Sequence, residues 1–147
     1  MTDIRSMTED WLLNSQLAPG GDLDPLQPLY EAARRGELVL PFCSRCRLPL
    51  ELEQTVCDGC GAFGREWTSV ELRGVVHSWT TVHRREPGLV RAEMPYPVID
   101  VELDSGHRLV MTTTSSSASV PPIGTSVHIA FRTLGDAHIP AVQSSED

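Results

Sequence analysis

The feature that most constrains this chain is a pair of Cys-x-x-Cys motifs separated by ten residues. Cys43 and Cys46 form the first motif, Cys57 and Cys60 form the second, and the 147 residues contain no other cysteine. A two-residue spacer lets each motif close a tight turn that presents two thiolates to one tetrahedral ion. The spacing therefore predicts a zinc ribbon in which these four cysteines bind a structural Zn²⁺.

Other uses of four cysteines stay open at this point. An iron site can use the same four thiolates, a redox-active pair needs a βαβ context, and two disulfides need an oxidising compartment. Zinc is the interpretation that the spacing favours, and iron is the main alternative. Since four thiolates fill the tetrahedron and leave no position for water, the metal is expected to be structural and not catalytic.

The two motifs differ in their glycines. Gly59 and Gly61 in the second motif are expected to supply positive φ angles, which glycine adopts without a steric penalty. Arg47 follows the first motif at a place where a glycine would be easier. The first turn is therefore predicted to fit less well than the second.

The charge balance limits the partners of the chain. It carries 12 lysines and arginines against 20 aspartates and glutamates, a formal net charge of −8. Because phosphate contacts rely on basic side chains, such a chain is poorly suited to binding nucleic acid. The first ten residues contain no apolar signal segment, and no apolar stretch is long enough for a membrane span. The expectation is a cytoplasmic protein with no membrane partner.

Two helices are predicted ahead of the cysteines. Residues 8–17 form a short apolar segment that Thr8 could cap. This arm carries Trp11, and it is expected either to pack on its own domain or to dock on another subunit. Residues 25–35 give the stronger helix signal, with Pro25 at the first helical position and apolar residues repeating at i, i+3, i+4 and i+7.

Beyond this helix the pattern changes to strands. Residues 37–42 are predicted to lead into the first cysteine pair, and residues 48–56 to form the hairpin of the ribbon. Gly74 in the first barrel strand suggests a bulge or a sharp bend. Five strands with turn signals between them then describe a small barrel, with predicted bounds 67–82, 98–103, 108–114, 125–131 and 137–142.

The predicted fold class is mainly β: an N-terminal helix, a rubredoxin-like zinc ribbon, and a five-stranded OB-fold barrel with a long, bent first strand. A segment as short as the ribbon buries too little apolar surface to fold without its metal. The predicted organisation is an N-terminal arm and linker over residues 1–24, helix plus ribbon over 25–66, the barrel over 67–143, and a tail over 144–147.

Three groups of residues carry a resemblance to a known family. They are the segment 29–40 ahead of Cys43, the aromatic entry to the barrel at 65–67, and the barrel segments 74–83, 95–103 and 123–124. In this order they resemble the small zinc-ribbon plus OB-fold proteins that are encoded beside thiolase-like enzymes of acyl-CoA metabolism. The chain departs from that family's pattern at Arg47, where glycine is usual.

The resemblance implies a non-catalytic subunit that binds a thiolase-like enzyme and supports condensation, acyl transfer or retro-aldol cleavage of CoA thioesters, the last as in steroid side-chain breakdown. It implies a hetero-oligomer, with acyl-CoA as a candidate ligand at the shared interface. The residues themselves include no phosphate-binding glycine loop, no GxSxG motif and no fifth thiol, and the five histidines are scattered singly. We therefore expect no catalytic residues, and no enzyme activity from this chain alone.

The loop of residues 83–97 is the predicted contact surface. It joins the first two barrel strands, where OB-folds often place a binding loop, and it mixes arginines with apolar and aromatic residues as interfaces do. Its arginines could also meet CoA phosphates, and the alternative is a solvated loop stiffened by prolines. The candidate partner or CoA contacts are Trp11 of the arm and, in the loop, Arg84, Arg85, Leu89, Arg91, Met94 and Tyr96.

A function of another class competes with this one. Many OB-folds bind single-stranded nucleic acid through stacked aromatic side chains and a basic groove. Aromatic residues make up 5% of this chain, and acidic residues outnumber basic ones. The composition therefore favours a protein partner over nucleic acid.

Overall fold

The computed structural model describes residues 9–21, 23–84, 86–116 and 119–143. Within them the chain forms one α-helix and seven strands, arranged in a two-stranded and a five-stranded sheet. The elements are α1 Gln27–Ala33, β1 Leu38–Cys43, β2 Arg65–Val70, β3 Arg73–Val82, β4 Tyr96–Leu103, β5 Arg108–Met111, β6 Ser126–Leu134 and β7 Ala137–Val142. The predicted mainly β fold class is confirmed.

The five-stranded sheet is ordered β5-β4-β3-β6-β7, and each neighbouring pair is antiparallel. Its two outer strands approach each other where Thr113 forms a parallel bridge with Val142. Next to this bridge the Thr114 N–H donates to the Val142 carbonyl at 3.0 Å. The sheet is thereby nearly closed into a barrel of the OB type, as the strand pattern predicts.

The barrel core follows from the alternation of side chains along its strands, because successive residues point to opposite faces. On β4, Ile99 and Val101 are fully buried while Glu102 is exposed. The same buried cluster includes Leu29 of α1 and Leu40 of β1. The helix and the first strand therefore pack against the barrel and contribute to one core.

The stronger of the two predicted helices is confirmed with shorter bounds. Asp24 Oδ1 accepts a hydrogen bond from the Leu26 N–H at 2.8 Å just before α1. Pro25 is not at the first helical position, because the helix begins at Gln27 and the proline of its first turn is Pro28. Gly36 follows the helix with a φ of +74°, a left-handed conformation that suits glycine. Among the described residues no helix is long and apolar enough to cross a bilayer.

The weaker predicted helix, over residues 8–17, is wrong for the described part of the arm, and Thr8 lies outside that part. The regular structure there is a three-residue 3-10 turn, Ser15–Leu17. Asp10 gives the reason, because its Oδ2 accepts hydrogen bonds from the N–H groups of Leu12 at 3.1 Å and Leu13 at 2.7 Å. A carboxylate that bonds the nearby backbone in this way competes with helix formation.

The predicted hairpin over residues 48–56 is reduced to a single antiparallel bridge between Pro49 and Phe42 of β1. The long partner of β1 is β2, which pairs with it antiparallel along its whole length. The predicted strand over residues 67–82 is accordingly two strands, and β2 runs across the expected boundary between residues 66 and 67. The break falls at Glu71 and Leu72, and neither residue is a turn former, so the sequence pattern does not reveal it.

Gly74 has a different role from the expected bend. The irregularity of β3 lies between Val76 and Ser78, where its register against β4 shifts. A Cβ added at Gly74 would lie 2.6 Å from the Glu102 carbonyl oxygen and 2.7 Å from Val101 Cγ1. The backbones of β3 and β4 therefore approach at a point where glycine alone fits.

Candidate functional site

The four predicted metal ligands come together at one end of the β1–β2 sheet. The Sγ atoms of Cys43 and Cys60 lie 3.6 Å apart, those of Cys46 and Cys57 lie 3.5 Å apart, and all four lie within 4.8 Å of one another. Four sulfurs about 2.3 Å from a tetrahedral zinc would be roughly 3.8 Å apart. The four thiols are not joined by disulfides, so this donor set fits a zinc ion, and it would fit iron equally.

Both Cys-x-x-Cys motifs fold into the same backbone turn. The Cys43 carbonyl accepts the Arg47 N–H at 2.9 Å, and the Cys57 carbonyl accepts the Gly61 N–H at 3.0 Å. Arg47 and Gly61 both have left-handed backbones, with φ of 68° and 77°. Arg47 therefore occupies a position that costs an ordinary residue conformational energy, as the sequence predicts.

Gly59 differs from the expectation, since it does not adopt a positive φ. A Cβ at Gly59 would lie 3.3 Å from Leu48 Cδ2 and 3.7 Å from the Cys57 sulfur. This glycine is useful for its small size beside the sulfurs and not for its backbone angles.

The backbone prepares the first sulfur of each turn for a cation. Cys43 Sγ accepts the N–H groups of Cys46 at 3.5 Å and Arg45 at 3.4 Å, and these donors lower the pKa of the Cys43 thiol to about 6. Cys57 Sγ accepts the Gly59 N–H at 3.3 Å, and both of these sulfurs belong to buried residues. Four thiolates around one ion fill its tetrahedral coordination and leave no position for a substrate.

A histidine that the sequence reasoning missed joins the barrel to β1, the strand that leads into the cysteine module of residues 43–62. His107 follows the β4–β5 turn and is 5% exposed, with Nε2 2.8 Å from the Pro41 carbonyl and Nδ1 2.7 Å from the Ser105 hydroxyl. Since a carbonyl can only accept, Nε2 carries a proton and donates it to Pro41. Burial lowers the pKa of His107 and outweighs the Pro41 carbonyl and the Glu51 charge, which raise it.

The predicted contact loop lies against the N-terminal arm. The Asn14 N–H donates to the Leu89 carbonyl at 2.8 Å, and the Arg91 N–H donates to the Leu12 carbonyl at 2.6 Å. Of the two alternatives for the arm, its described residues 9–21 therefore pack on their own domain.

The seven predicted contact residues differ in what they offer a partner. Three have side chains that are open to solvent and make no bond to the arm: Met94 (74% exposed), Leu89 (44%) and Arg84, whose side chain is 81% exposed beside Glu86. Two hold the arm, since Trp11 Nε1 donates to the Thr113 carbonyl at 2.9 Å and the Arg91 guanidinium contacts the Asp10 carbonyl. Tyr96 is half-buried at the start of β4, and Arg85 lies outside the described residues. The exposed three stay candidates for contact with another molecule.

The fold and the cysteine cluster define a class of protein, a four-cysteine metal-binding module set on an OB-fold barrel. Comparison with known proteins then points to one family. Residues 67–132 match the family model of the C-terminal OB-fold domain of ChsH2. The barrel of this chain is thus similar to the OB-fold domain of ChsH2, and the zinc-ribbon plus OB-fold resemblance seen in the sequence is confirmed.

Two solved structures and one curated protein are similar to this chain. The structure described as the Ltp2-ChsH2(DUF35) aldolase is 26% identical, with a TM-score of 0.70 over 87% of this chain and 99% of that one. A DUF35-family protein of unknown function from Sulfolobus solfataricus is 10% identical, with a TM-score of 0.53 over 81% of this chain and 84% of that one, and shows the fold alone. The probable enoyl-CoA hydratase alpha subunit of Thermomonospora curvata is 35% identical over 81 residues, which are 55% of this chain and 25% of that protein. The chain thus spans about a quarter of that relative's length.

Proposed function

We propose that this chain is a non-catalytic accessory subunit that binds a thiolase-like acyl-CoA enzyme and supports its activity on CoA thioesters. The observation that carries the proposal is the similarity to the Ltp2-ChsH2(DUF35) aldolase, which extends over 99% of that chain and 87% of this one. The likeness to a protein named as an enoyl-CoA hydratase subunit supports the same substrate class. The partner in this proposal is a thiolase, an acyltransferase or a retro-aldolase of steroid side chains.

The non-catalytic role is supported by what the polar groups of the chain already do. The four thiols converge on one candidate metal site, and four thiolates around an ion leave no open position for chemistry. His107 is buried and engaged through both ring nitrogens, by Pro41 and Ser105. In this proposal the metal is structural zinc and the reacting groups belong to the partner enzyme.

We assign the partner contact to the β3–β4 loop, residues 83–95. Leu89 and Met94 present apolar side chains to solvent there, and Arg84 of the same loop has an exposed side chain. Apolar side chains together with arginine are typical of protein interfaces. A chain with a net charge of −8 has little to attract nucleic acid, which is the alternative function.

The test is a pull-down of the tagged chain from lysate of its source organism, followed by an assay of the purified pair on acyl-CoA substrates. We expect a thiolase-like enzyme in near-equal amount, and an activity that the enzyme alone lacks or shows weakly. If nucleic acid is recovered instead, in an amount that falls steeply with salt, the alternative function is correct. If neither is recovered, the accessory-subunit proposal is wrong.

A matched pair of variants tests the contact surface. Met94→Asp puts a charge on the proposed surface and should weaken partner binding by about tenfold or more, because buried unpaired charge is costly at an interface. Ile123→Asp is the control, since Ile123 is 65% exposed in a loop that bonds to Val76, about 20 Å along β3 from Val82. Equal binding by both variants would remove the loop from the interface.

A further inference from the structure

We infer that the N-terminal arm is an internal strap that builds and orders the β3–β4 loop, and that a buried ion pair between Asp10 and Arg132 clamps it to the barrel. The strap is residues 9–14, and the loop is residues 83–95. Its role in presenting a docking surface rests on the proposed function, whereas its role in ordering the loop does not.

The strap pairs with the loop through one antiparallel β-bridge and the hydrogen bonds on either side of it. Leu13 forms an antiparallel bridge with Val90, and the Asn14 N–H donates to the Leu89 carbonyl at 2.8 Å. The Asn14 side chain also donates, through Nδ2, to the Gly88 carbonyl at 3.1 Å. Loops of this length without regular structure of their own retain large conformational freedom. Pairing with the strap removes much of that freedom.

The clamp is the buried carboxylate of Asp10. Its side chain is fully buried, and Arg132 Nη1 on β6 donates to Oδ1 at 2.9 Å and to Oδ2 at 2.7 Å from a side chain that is 11% exposed. Oδ2 also accepts the N–H groups of Leu12 and Leu13. One carboxylate therefore links a barrel strand to the backbone that pairs with the loop.

Further contacts hold the strap from both sides. Trp11 Nε1 donates to the Thr113 carbonyl at 2.9 Å, which attaches the strap to the barrel just after β5. From the loop, the Arg91 guanidinium reaches back to the Asp10 carbonyl and lies 3.6 Å from the Glu9 carboxylate. The strap is thus enclosed between barrel and loop, and a change at Asp10 should be felt at Arg91.

The consequence for binding concerns Leu89 and Met94, which are exposed on the loop that the strap orders. A surface that is ordered before its partner arrives loses less conformational entropy on association. The strap should therefore increase partner affinity without contacting the partner, which makes Asp10 and Arg132 positioning residues.

Hydrogen exchange on the full chain tests the ordering of the loop. Asp10→Asn keeps an acceptor for the backbone and removes the charge, and we expect the Asn14 and Arg91 amides to exchange at least about tenfold faster. The Ile129 amide, which donates to the Leu72 carbonyl at 3.0 Å within the barrel, should be unaffected. Unchanged exchange at Asn14 and Arg91 would overturn the inference.

The control is Asp100→Asn. Asp100 also accepts two hydrogen bonds from one arginine, Arg108, at 3.0 and 2.5 Å, but this pair lies at the barrel surface. We expect this variant to leave exchange in the strap unchanged, so an equal increase in both variants would count against a specific clamp.

If Asp10→Asn unfolds the whole barrel and raises exchange at Ile129 as well, a milder variant tests whether the strap orders the loop. Asn14→Ala removes two exposed hydrogen bonds, one to the Gly88 carbonyl of the loop and one from the Gln16 N–H, and both lie outside the buried core. It should raise exchange at Arg91 by about threefold, with Ile129 unchanged. No change at Arg91 would then overturn the strap.

Partner affinity tests the second half of the inference. Asp10→Asn should bind the purified partner enzyme about tenfold more weakly than the unmodified chain, and Asp100→Asn should bind equally well. A loosened loop with unchanged affinity would overturn the docking role and leave the strap intact. If the unmodified chain binds no thiolase-like enzyme, the proposed function fails, and the exchange data still decide the strap.

Discussion

The cysteine module and the barrel, joined through β1 and His107, are stabilised in different ways. The buried cluster of the module contains Cys43, Leu50 and Cys57, with Ala62 packed against it. The cluster of the barrel contains twelve buried residues, drawn from α1, β1 and all five barrel strands. A cluster of three cannot offset the conformational entropy of ordering some twenty residues, so the module needs a metal where the barrel needs only apolar burial. Variants should therefore affect the two regions separately.

The largest effect is expected from Cys57→Ser. Losing one of four ligands should abolish metal binding, which contributes on the order of 10 kcal/mol in structural zinc sites, and should unfold the module. The barrel should keep its structure, because its core contains none of the four cysteines. Metal content by mass spectrometry, together with amide exchange at Arg47 and Gly61 in the module and in β4 of the barrel, measures both outcomes.

Ser44→Ala is the control for that experiment, since Ser44 is exposed in the other Cys-x-x-Cys turn and is not a ligand. It should retain one metal per chain, and the element found there distinguishes zinc from iron. One metal ion per chain in Cys57→Ser would show that Cys57 is not a required ligand and that the proposed four-cysteine site is wrong.

Truncating a core side chain of the barrel should lower the stability of the barrel and leave the metal site intact. Ile99 is fully buried on β4, and Ile99→Ala should lower the free energy of unfolding by about 2–5 kcal/mol through lost burial and a cavity. Metal content should stay at one per chain while the folded state survives. Val110→Ala, on the neighbouring strand at a side chain that is 67% exposed, is the control and should cost less than about 0.5 kcal/mol. Loss of the metal in the folded Ile99 variant would show that the two regions are not separable.

Gly74→Ala should come next in size. The added Cβ would meet the Glu102 backbone oxygen at 2.6 Å, and a backbone atom cannot rotate away. Strand β3 would have to move from β4, at a cost of about 1–3 kcal/mol. Urea unfolding of this variant and of Gly124→Ala, a site with a positive φ but open space, separates crowding from backbone strain. A smaller loss in Gly74→Ala than in Gly124→Ala would contradict the close approach.

Local sequence patterns predict those parts of the molecule that are determined by residues close together in the chain. The two Cys-x-x-Cys spacings predict a cysteine cluster, and alternating side chains predict β4 to β7 within a few residues. The pairing of β1 with β2 joins segments more than twenty residues apart, and nothing in either segment specifies the other. The ion pair between Asp10 and Arg132 spans 122 residues, and the bond from His107 to Pro41 spans 66. Such contacts depend on how finished elements pack, which a single sequence does not show.

The junction between the two regions should respond to pH through His107. Burial holds its pKa below the usual value of about 6.5, so the unfolded chain binds this proton more readily than the folded one. The stability that the neutral ring contributes is present above about pH 6.5 and is lost as the pH falls through the lower folded pKa. His107→Gln should cost about 1 kcal/mol at pH 7.5 through the bond to the Pro41 carbonyl, and should flatten this decline. Urea midpoints from pH 7.5 to 5 measure both, and an equal decline in the variant would assign the pH dependence to other groups.

The smallest effect is expected within the module, where the two turns share a backbone but not a residue type. Arg47 has a φ of 68°, and Arg47→Gly should recover about 1 kcal/mol of left-handed strain. The same change removes the guanidinium that lies 5.2 Å from the Phe42 ring centroid, a contact worth about 0.5–1 kcal/mol at an exposed site, and an exposed ion pair with Glu66. The two terms nearly cancel, so metal-loaded stability should change by less than about 0.5 kcal/mol. Gly61 occupies the equivalent position of the second turn, and Gly61→Ala introduces left-handed strain without removing a side-chain contact. We expect it to lower the stability of the module by about 1 kcal/mol. If Arg47→Gly instead stabilised the module by the whole strain energy of about 1 kcal/mol, the contacts of the Arg47 side chain would contribute nothing to stability.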